Sequence, residues 1–507
     1  MEFPWILSLI TLTISLTITI FIKLINKNPS KNLPPGPPKL PLIGNLHQLA
    51  SKTTLPHHRL AELARVHGPI MYLQLGQVPT VVISSSKMAK EALKTNDSVL
   101  CSRPNLLTPE ILFYKSSDIA LAPYGEYWRQ VRKIATLELF TARRVHGFHS
   151  CREEAVMDFF QSMLPEVKAG SVINLTSKLF NLSFDIILRV AINKKAKDGE
   201  AFRKLVADVA ELISGFSIGD LYPSLKSISS ISGMKAKLQR MVTRMDNLME
   251  PIIDEHLMNK KHNHEDGDLV DILLNYYKDH KHLHNKFHLT KDNIKAIVFE
   301  LFGAGGETSS TVIDWTIAEL LKNPTVMKKA QNEVRQVLQE NIIMVDKSSL
   351  EKLTYLKCII KETLRLHPPL PCLVPRESMR ECKINGYDIP SKTRVILNAW
   401  AIGRNPECWK DPEKFDPERF VNSSIDYKGN NFELIPFGAG RRICPGMGLG
   451  IANVELVLAM LLYHFDWKLP DGSKQEDIDM NEAFGIVGRR KVDLKVIPVL
   501  QPLSGFK

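Results

Sequence analysis

A single cysteine lies in a glycine-rich turn just ahead of an apolar stretch with helical spacing, in the sequence PFGAGRRICPG of residues 436–446. The glycines allow backbone N–H groups to approach the Cys444 sulfur, and such donors tune the charge and redox potential of a metal-bound sulfur. Arg442 can pair with a carboxylate in a forked geometry, and Phe437 can cover one face of the sulfur. This arrangement is typical of a chain that folds around a flat, anionic, iron-containing cofactor and offers it one thiolate.

Three other interpretations of this turn have to be weighed. A lone cysteine ahead of a helix is most often a buried small hydrophobic residue. A nucleophilic cysteine needs a partner base, and no histidine is singled out near Cys444. The glycines at 446, 448 and 450 match a dinucleotide-binding loop only in part, because no strand precedes them and the third glycine falls one position early. The choice among these depends on motifs elsewhere in the chain.

The N-terminus has the pattern of a membrane anchor. Residues 3–22 are apolar and nearly uncharged over about the length that a bilayer needs, and Lys23, Lys27 and Lys31 follow them. A cleaved signal peptide would carry its positive charge first and end in small residues, and this segment does neither. We therefore divide the chain into an anchor at residues 1–26, a basic and proline-rich hinge at 27–50, and a catalytic domain at 51–507.

The composition indicates one large, mainly helical body. The chain has 507 residues, of which 44% are hydrophobic, and no low-complexity linker or internal repeat divides it. Apolar residues recur at helical spacing in residues 87–94, 127–139, 153–163, 201–216 and 234–257, and strand-like runs occur at residues 70–75, 80–83, 394–398 and 493–497. The predicted fold class is mainly α with a minor β portion.

Charge and cysteine usage limit the partners and the compartment. The net charge is +11, and without a nucleic-acid-binding motif this favours membrane headgroups and an acidic redox protein as partners, and no nucleic acid. Seven cysteines without paired spacing indicate a reducing compartment. Four histidines among the lysines of residues 278–288 could form a metal-binding tract, but the spacing fits no helical face and favours a solvated loop.

The longest helix should begin at Thr290, a good N-cap, and end near Lys322 ahead of Asn323-Pro324. Residues 304–308 of that helix read AGGET, and two adjacent glycines in a helix interior cost about 1 kcal/mol each relative to alanine. The glycines could let the helix widen and open a groove for a small molecule such as O2. They could equally permit a close helix crossing, with Thr308 bonded to its own backbone.

Together these motifs resemble the cytochrome P450 family, the haem-thiolate monooxygenases. The resemblance covers essentially the whole chain and is closest to plant microsomal members of the branch rich in terpenoid and alkaloid oxidases. The family's haem-binding signature is matched by Phe437, Gly440, Arg442, Cys444 and Gly446, and companion motifs lie at residues 128–132, 304–309, 362–365, 374–377 and 417–420.

The resemblance implies a role for each motif residue. Thr308 would hold O2 and organise water, Glu307 would help relay protons, and Ala304 would lie over the haem. Glu362, Arg365 and Arg419 would form a structural triad on the proximal side of the haem. Cys444 would be the axial ligand of haem b, and further cofactor contacts would come from Arg442, Phe437, Gly438, Trp128, Arg132 and Arg376.

The implied enzyme is a single-pass protein of the endoplasmic reticulum membrane whose catalytic domain faces the cytosol. It would insert one atom of O2 into a C–H bond or epoxidise an alkene. No flavin or nicotinamide motif occurs, so NADPH-derived electrons would come from an NADPH-cytochrome P450 reductase, with cytochrome b5 as an accessory donor.

The expected substrate is a small hydrophobic terpenoid, for which a diterpene is one case, with an alkaloid or phenolic as the alternative. By family analogy the substrate pocket would draw on Ile119, Leu212, Phe216, Val374, Phe484 and Val487, which are all apolar. An O2-independent haem-thiolate isomerase or dehydratase is a rival, but such relatives often lack the helix threonine. A non-catalytic haem sensor is a second rival, and the intact oxygen motif argues against it.

Overall fold

The structure is a computed structural model that describes residues 8–9, 11–17, 32–50, 54–193, 199–210, 212, 217–225, 233–258, 267–278, 288–338, 344–470 and 472–502. Phe216, and most of the apolar segment and the histidine-rich stretch singled out above, lie outside these residues. Within the N-terminal segment, residues 8–9 and 11–17 are helical and exposed.

Helices make up most of the described chain. The first ten α-helices are α1 Leu46–Leu49, α2 Pro56–His67, α3 Ser86–Lys90, α4 Asp97–Leu100, α5 Leu107–Leu112, α6 Glu126–Ile134, α7 Ala142–Gly147, α8 His149–Lys168, α9 Leu175–Ile192 and α10 Glu200–Ala210. They are followed by α11 Ile218–Leu221, α12 Met234–Met258, α13 Leu269–Lys278, α14 Lys291–Lys322, α15 Pro324–Val337, α16 Lys347–Lys352, α17 Thr354–Leu366, α18 Ala399–Ile402 and α19 Met447–His464. Wider π-turns extend α3 over Glu91–Thr95 and α6 over Ala135–Leu139, and 3₁₀ turns occur at Pro223–Leu225, Pro417–Phe420, Gly440–Arg442 and Gln475–Asp477.

The β portion is small and lies in three sheets. The strands are β1 Ile70–Leu75, β2 Val78–Ile83, β3 Ile173–Asn174, β4 Arg376–Glu377, β5 Cys382–Ile384, β6 Tyr387–Ile389, β7 Arg394–Leu397, β8 Phe465–Lys468 and β9 Lys495–Leu500. The largest sheet has the order β1-β2-β7-β4, in which β2 and β7 are parallel and the other pairs are antiparallel. The order β3-β9-β8 forms a second sheet, and β5 and β6 form a hairpin.

Local sequence signals account for the helix that organises the molecule. Thr290 accepts a hydrogen bond from the Asn293 backbone N–H, and the Asn293 side chain bonds back to the Thr290 N–H, so a capping box starts α14 as predicted. Asn323 ends α14, and Pro324 stands at the first position of α15, where the missing N–H costs nothing. The resulting helix of 32 residues spans about 48 Å, which is enough to cross the whole domain.

In the largest core cluster, α14 packs against both α9 and α19. Tyr463 of α19 is completely buried in this cluster, and Trp315 of α14 is completely buried as well. Among the described helices, α19 is long and apolar enough to cross a membrane, but 72% of its apolar window is buried. Its hydrophobicity therefore reflects its place in the core.

The fold class predicted from the sequence is confirmed, since the structure is mainly α with a minor β portion. The strand predicted at residues 70–75 has the observed bounds of β1, and the one at 493–497 is observed as β9, shifted to Lys495–Leu500. The helix predicted at 201–216 is described as α10, Glu200–Ala210, and most of the rest lies outside the described residues.

Candidate active site

The cysteine turn is closed by backbone hydrogen bonds. The Cys444 N–H donates to the Phe437 carbonyl at 3.0 Å, and the Ile443 N–H donates to the Gly440 carbonyl at 3.1 Å. Gly440 has φ of 68°, and a Cβ atom there would lie 2.5 Å from an Asp97 carboxylate oxygen and from the Leu93 carbonyl oxygen. Only glycine fits this position, because the backbone is left-handed and in close contact.

The Cys444 sulfur lies in a mixed electrostatic environment. Burial raises the pKa of its thiol, while the backbone N–H groups of Gly446 and Met447 and the positive charge of Arg132 act to lower it. Met447 begins α19, so the sulfur faces the N-terminal end of that helix. The N–H groups therefore approach the sulfur as the sequence predicts, and they favour the thiolate that a metal ion requires.

Asp97 fastens the turn to the rest of the protein. This buried carboxylate accepts hydrogen bonds from the Arg376 side chain at 2.9 Å and from the Arg441 side chain and backbone at 3.0 and 3.1 Å. Arg376 also donates to the Ala439 carbonyl at 2.7 Å. Arg376 therefore supports the turn directly, and its assignment to a cofactor carboxylate stays a prediction. Asp97 belongs to none of the motifs recognised in the sequence, so no local pattern marked it.

Arg442 and Trp128 meet at one peptide. The Trp128 indole N–H donates to the Ile119 carbonyl at 3.0 Å, and Arg442 reaches the same oxygen at 3.4 Å. The Arg442 guanidinium also bonds the carbonyls of Cys101 and Ala122, both at 2.7 Å, and stacks 3.9 Å from the centre of the Trp128 ring. These contacts bring together three residues that the sequence placed in one site, although the residues are far apart in the chain.

Glu300 holds the segment around Ile119 to α14, a contact that the sequence analysis missed. Its carboxylate accepts hydrogen bonds from the backbone N–H groups of Ile119 at 2.6 Å and Ala120 at 2.9 Å. Burial raises the pKa of Glu300 to about 8, with a further contribution from Asp118, and the two N–H groups oppose this rise. The available signal was a carboxylate within the otherwise apolar residues 299–304, one helical turn before Ala304.

The paired glycines of α14 permit a close helix crossing. A Cβ atom on Gly305 would lie 2.6 Å from the Ile187 Cδ1 atom of α9, and one on Gly306 would lie 3.2 Å from the Phe184 ring. The helix stays α-helical from Lys291 to Lys322, without the widening that the glycines could allow. The structural interpretation of these two glycines is therefore the one that the packing bears out.

Ala304 and Thr308 lie on the other side of α14, because Gly306 is about 200° around the helix from Ala304. Ala304 is exposed and Thr308 half-buried, within a helix whose residues from Ser309 to Leu321 are all buried. The Thr308 hydroxyl donates to the Ala304 carbonyl at 2.5 Å. Burial raises the pKa of the neighbouring Glu307 carboxyl, which the charge of Arg489 partly opposes.

Comparison with known proteins decides the family. The cytochrome P450 family model matches residues 34–496. The chain belongs to the cytochrome P450 family. A zebrafish cytochrome P450 solved with progesterone superposes with a TM-score of 0.76 at 25% identity, covering 88% of this chain and 100% of that one, and shows that the two share a fold.

Curated plant relatives are about twice as similar in sequence. A melianol synthase from Ailanthus altissima is 47% identical over 96% of this P450 and 95% of its own length. A desmethyl-deoxy-podophyllotoxin synthase from Sinopodophyllum hexandrum is 47% identical over 96% of each chain. A costunolide synthase from Cichorium intybus is 46% identical over 97% of this chain and 98% of its own. The protein is accordingly a haem-thiolate monooxygenase.

The charges near Cys444 fit haem, whose edge carries propionate groups. Arg103, Arg376 and Arg442 are all buried, and burial together with the charge of Arg376 lowers the pKa of Arg442 to about 9. Burial raises the pKa of the nearby Asp118 to about 6, so this acid offsets one of these positive charges only above about pH 6. Arg132 is half-buried and its guanidinium has no hydrogen-bond partner among the described residues. An excess of buried positive charge is stabilised by an anion.

Arg103 belongs to this cluster and was not singled out from the sequence. It donates to the carbonyls of Ala120 at 2.7 Å, Val374 at 2.6 Å and Pro375 at 2.8 Å. Burial and the charges of Arg442 and Arg376 hold its pKa well below the usual value. Its neighbours in the sequence are Ser102 and Pro104, so no helical face or charge pattern marked it.

The structural triad is confirmed. Glu362 and Arg365 are buried in α17 and joined by two hydrogen bonds of 2.7 and 2.8 Å, and Arg419 bonds the same carboxylate at 3.0 Å. The Asp416 backbone N–H adds a fourth bond to Glu362 at 2.8 Å. Every oxygen of the buried Glu362 carboxylate is therefore paired, as a buried charge requires.

The predicted substrate residues differ in their surroundings. Ile119 and Val487 are buried, and Val374 and Leu212 are half-buried. Phe484 is 71% exposed. The structure thus brings Ile119 and Val374 to the arginine cluster through their backbone carbonyls, whereas it leaves the Phe484 ring at an open surface. Their contact with a substrate stays a prediction.

Proposed function

We propose that this P450 oxidises a small hydrophobic terpenoid by inserting one atom of O2, and that Cys444 is the haem ligand. The observation that carries the proposal is the Cys444 turn, in which the sulfur faces the N–H groups of Gly446 and Met447. Beside it lies the Arg132 guanidinium, which has no hydrogen-bond partner in the part of the chain that the structure describes. Haem bound to this thiolate supplies the oxidising chemistry, since a thiolate ligand favours cleavage of the O–O bond.

The protein's own residues position the cofactor and exclude water from it. Arg132 is the guanidinium most available for a haem propionate, because Arg376 and Arg442 already bond carbonyls and Asp97. Phe437 packs edge-on against Tyr427 at 5.4 Å and covers the turn from the side of the core. The triad of Glu362, Arg365 and Arg419 keeps that side rigid.

We assign proton delivery to Thr308 and Glu307. The Thr308 hydroxyl donates to the Ala304 carbonyl, so its oxygen remains able to accept a hydrogen bond from water. The Glu307 carboxyl has a raised pKa, which makes it a better proton donor near neutral pH than an ordinary glutamate. The two residues are adjacent at the half-buried stretch of α14 where the exposed Ala304 lies.

The choice of a terpenoid rests on chemistry and on relatives. The residues assigned to the pocket are apolar, which suits a hydrocarbon skeleton. Melianol and costunolide, for which two of the relatives are named, are terpenoids. The relative named for desmethyl-deoxy-podophyllotoxin is equally similar and favours a phenolic substrate as the second candidate. Diterpenes belong in the same assay because the apolar pocket sets no preference for skeleton size.

We also propose that residues 1–26 anchor the enzyme in the endoplasmic reticulum membrane with the catalytic domain in the cytosol. Leu9, Leu12 and Leu16 lie on the helical part of this segment with 61–71% of each residue exposed, as expected of a lipid-facing surface. The hinge at 27–50 and the domain at 51–507 complete this division. Electrons would come from NADPH-cytochrome P450 reductase, assisted by cytochrome b5.

The test is oxidation by full-length enzyme in microsomes with reductase, NADPH and ¹⁸O2. The panel should contain mono-, sesqui-, di- and triterpenes beside alkaloids and phenolic lignans, with products read by mass spectrometry. We expect one ¹⁸O atom per oxidation in a terpenoid product, and no product with Cys444→Ser. A labelled lignan or alkaloid product alone would replace the terpenoid assignment, and turnover without O2 or NADPH would overturn the monooxygenase assignment.

A further inference from the structure

Two histidines and a glutamate converge at the start of α2, away from the residues assigned to the haem. The His57 Nε2 atom lies 2.5 Å and the His58 Nε2 atom 3.9 Å from the same Glu482 carboxylate oxygen. All three ligand atoms lie within 4.8 Å of one another. Residues 57 and 58 are adjacent in the chain, whereas Glu482 comes from the C-terminal region more than 400 residues later.

The cluster is both held in place and open to solvent. The side chains of His57 and Glu482 are each 7% exposed, and that of His58 is 33% exposed. The His57 carbonyl accepts a hydrogen bond from the buried Asn398 side chain at 2.8 Å, and the His58 ring packs 4.3 Å from the Trp400 ring. His57 and Glu482 are thus fixed within the protein, and the partly exposed His58 lets a metal ion reach the cluster from solvent.

We propose that His57, His58 and Glu482 form a Zn²⁺ site. Ligand atoms about 2.0–2.1 Å from a tetrahedral zinc ion lie about 3.3 Å apart, which falls between the two separations observed here. Two imidazoles and one carboxylate suit zinc, whereas Mg²⁺ and Ca²⁺ prefer oxygen ligands. With three protein ligands, the fourth position would be filled by water or another small ligand.

The surrounding charges are compatible with a bound cation. Arg404 acts on His58 as a positive group, but its guanidinium is bonded to the Glu413 carboxylate at 3.1 Å and stacked 4.1 Å from the Trp400 ring. His367 also lies within electrostatic range of Glu482, and its Nε2 atom bonds Glu319 at 2.7 Å. Glu482 is thus left as the carboxylate that faces the two histidines.

The position of the site suggests what zinc would do. Glu482 lies two residues before Phe484, in the segment that ends at Val487 and that we assign to the substrate pocket. The following residues dock on α14, where the Trp315 indole N–H donates to the Gly488 carbonyl at 2.7 Å. Zinc would therefore link α2 to one edge of the pocket and restrict the movement of the exposed Phe484.

The experiment uses full-length, haem-loaded enzyme with any affinity tag removed, titrated with Zn²⁺ against a chromophoric chelator. Wild type should bind one more tight equivalent of Zn²⁺ than either His58→Ala or Glu482→Gln. In each variant the Zn²⁺ affinity of the site should fall at least about tenfold, because one ligand is lost. Zn²⁺ should raise the thermal midpoint of wild type and not of His58→Ala, and Mg²⁺ should raise neither. Zinc X-ray absorption should show nitrogen and oxygen neighbours at about 2.0–2.2 Å.

Two controls separate this site from other zinc-binding groups. His149→Ala removes a histidine that also faces a carboxylate, Glu153 at 3.4 Å, and should retain the wild-type stoichiometry. A His282→Ala/His284→Ala double variant removes the centre of the histidine-rich stretch and should retain the tight equivalent as well. The proposal is overturned if wild type holds no tight zinc, if His58→Ala and Glu482→Gln both keep the full stoichiometry, or if absorption shows sulfur neighbours.

Discussion

The cysteine turn and the middle of α14 are the two halves of the proposed active site, and they are built differently. At the turn the charged groups are paired, since Asp97 binds two arginines and Arg442 binds three carbonyls. The triad residue Glu362 likewise accepts four hydrogen bonds. In the middle of α14, the Thr308 hydroxyl has one partner within its own helix, and the Glu307 carboxylate has none among the described residues.

This difference matches the chemistry that each half has to perform. A haem ligand must be held in one geometry, which buried and fully paired charges provide at the expense of adaptability. Proton delivery needs groups that exchange partners with water and O2, so those groups cannot be committed to the protein. We therefore expect changes near the turn to act on stability, and changes of Thr308 and Glu307 to act on the use of electrons.

Glu362→Gln should have the largest effect on stability. Loss of the charge leaves Arg365 and Arg419 buried without their counter-ion, and breaking a buried pair costs about 3–5 kcal/mol. Glu418→Gln, which breaks the exposed pair with Lys329 in the same region, should cost about 0–1 kcal/mol. Urea unfolding followed by circular dichroism measures the free energy of unfolding of both variants. Equal losses of stability would contradict the stabilising role that we assign to the buried triad.

Gly305→Ala should destabilise the enzyme by about 1–3 kcal/mol, because the new methyl group meets Ile187 Cδ1. In an Ile187→Val background that atom is gone while Cγ1 stays 3.0 Å away, so the cost of the same change should shrink, helped by the preference of helices for alanine over glycine of about 1 kcal/mol. Gly303→Ala meets its nearest atom at 3.7 Å and should be stabilising. A failure of Ile187→Val to rescue would show that the glycine serves something other than the helix crossing.

Glu300→Gln should cost about 1–3 kcal/mol, since an amide cannot accept hydrogen bonds from both the Ile119 and Ala120 N–H groups. It should also change the pH dependence of unfolding. The Glu300 carboxyl has a pKa of about 8 in the folded enzyme, above its ordinary value near 4.5, so the folded state holds the proton more tightly. Its contribution to stability is full below about pH 4.5 and is lost as the pH rises through about 8.

The measurement for Glu300 is the free energy of unfolding at several pH values. The difference between wild type and Glu300→Gln should shrink steadily from about pH 4.5 to pH 8. A constant difference would mean that Glu300 is ionised throughout and that its two N–H bonds outweigh burial.

Thr308→Ala should have the smallest effect on stability, within about 1 kcal/mol, because the hydroxyl bonds only its own helix. Haem and substrate binding should persist, while the ratio of product to NADPH consumed falls and hydrogen peroxide rises. Thr308→Ser keeps the hydroxyl and should keep most of the coupling. An unchanged ratio in Thr308→Ala would return this residue to a purely structural role.

Local patterns predicted several secondary-structure elements and the fold class well. The cap at Thr290, the stop at Asn323-Pro324 and the helix-sheet balance follow from signals that act within a few residues. Asp97, Arg103 and Glu300 were missed because their importance comes from contacts with segments more than 170 residues away in the sequence. The two α14 glycines were ambiguous for the same reason, since Ile187 and Phe184 decide their role.

The central claim is that Cys444 supplies the thiolate ligand of haem, and the reduced, CO-bound absorption spectrum tests it most directly. Wild type and Cys358→Ser, which changes a half-buried cysteine of α17, should both show the red-shifted Soret band of thiolate-bound haem. Cys444→Ser should lose that band and its turnover. Retention of the band by Cys444→Ser, or its loss in Cys358→Ser alone, would contradict the account.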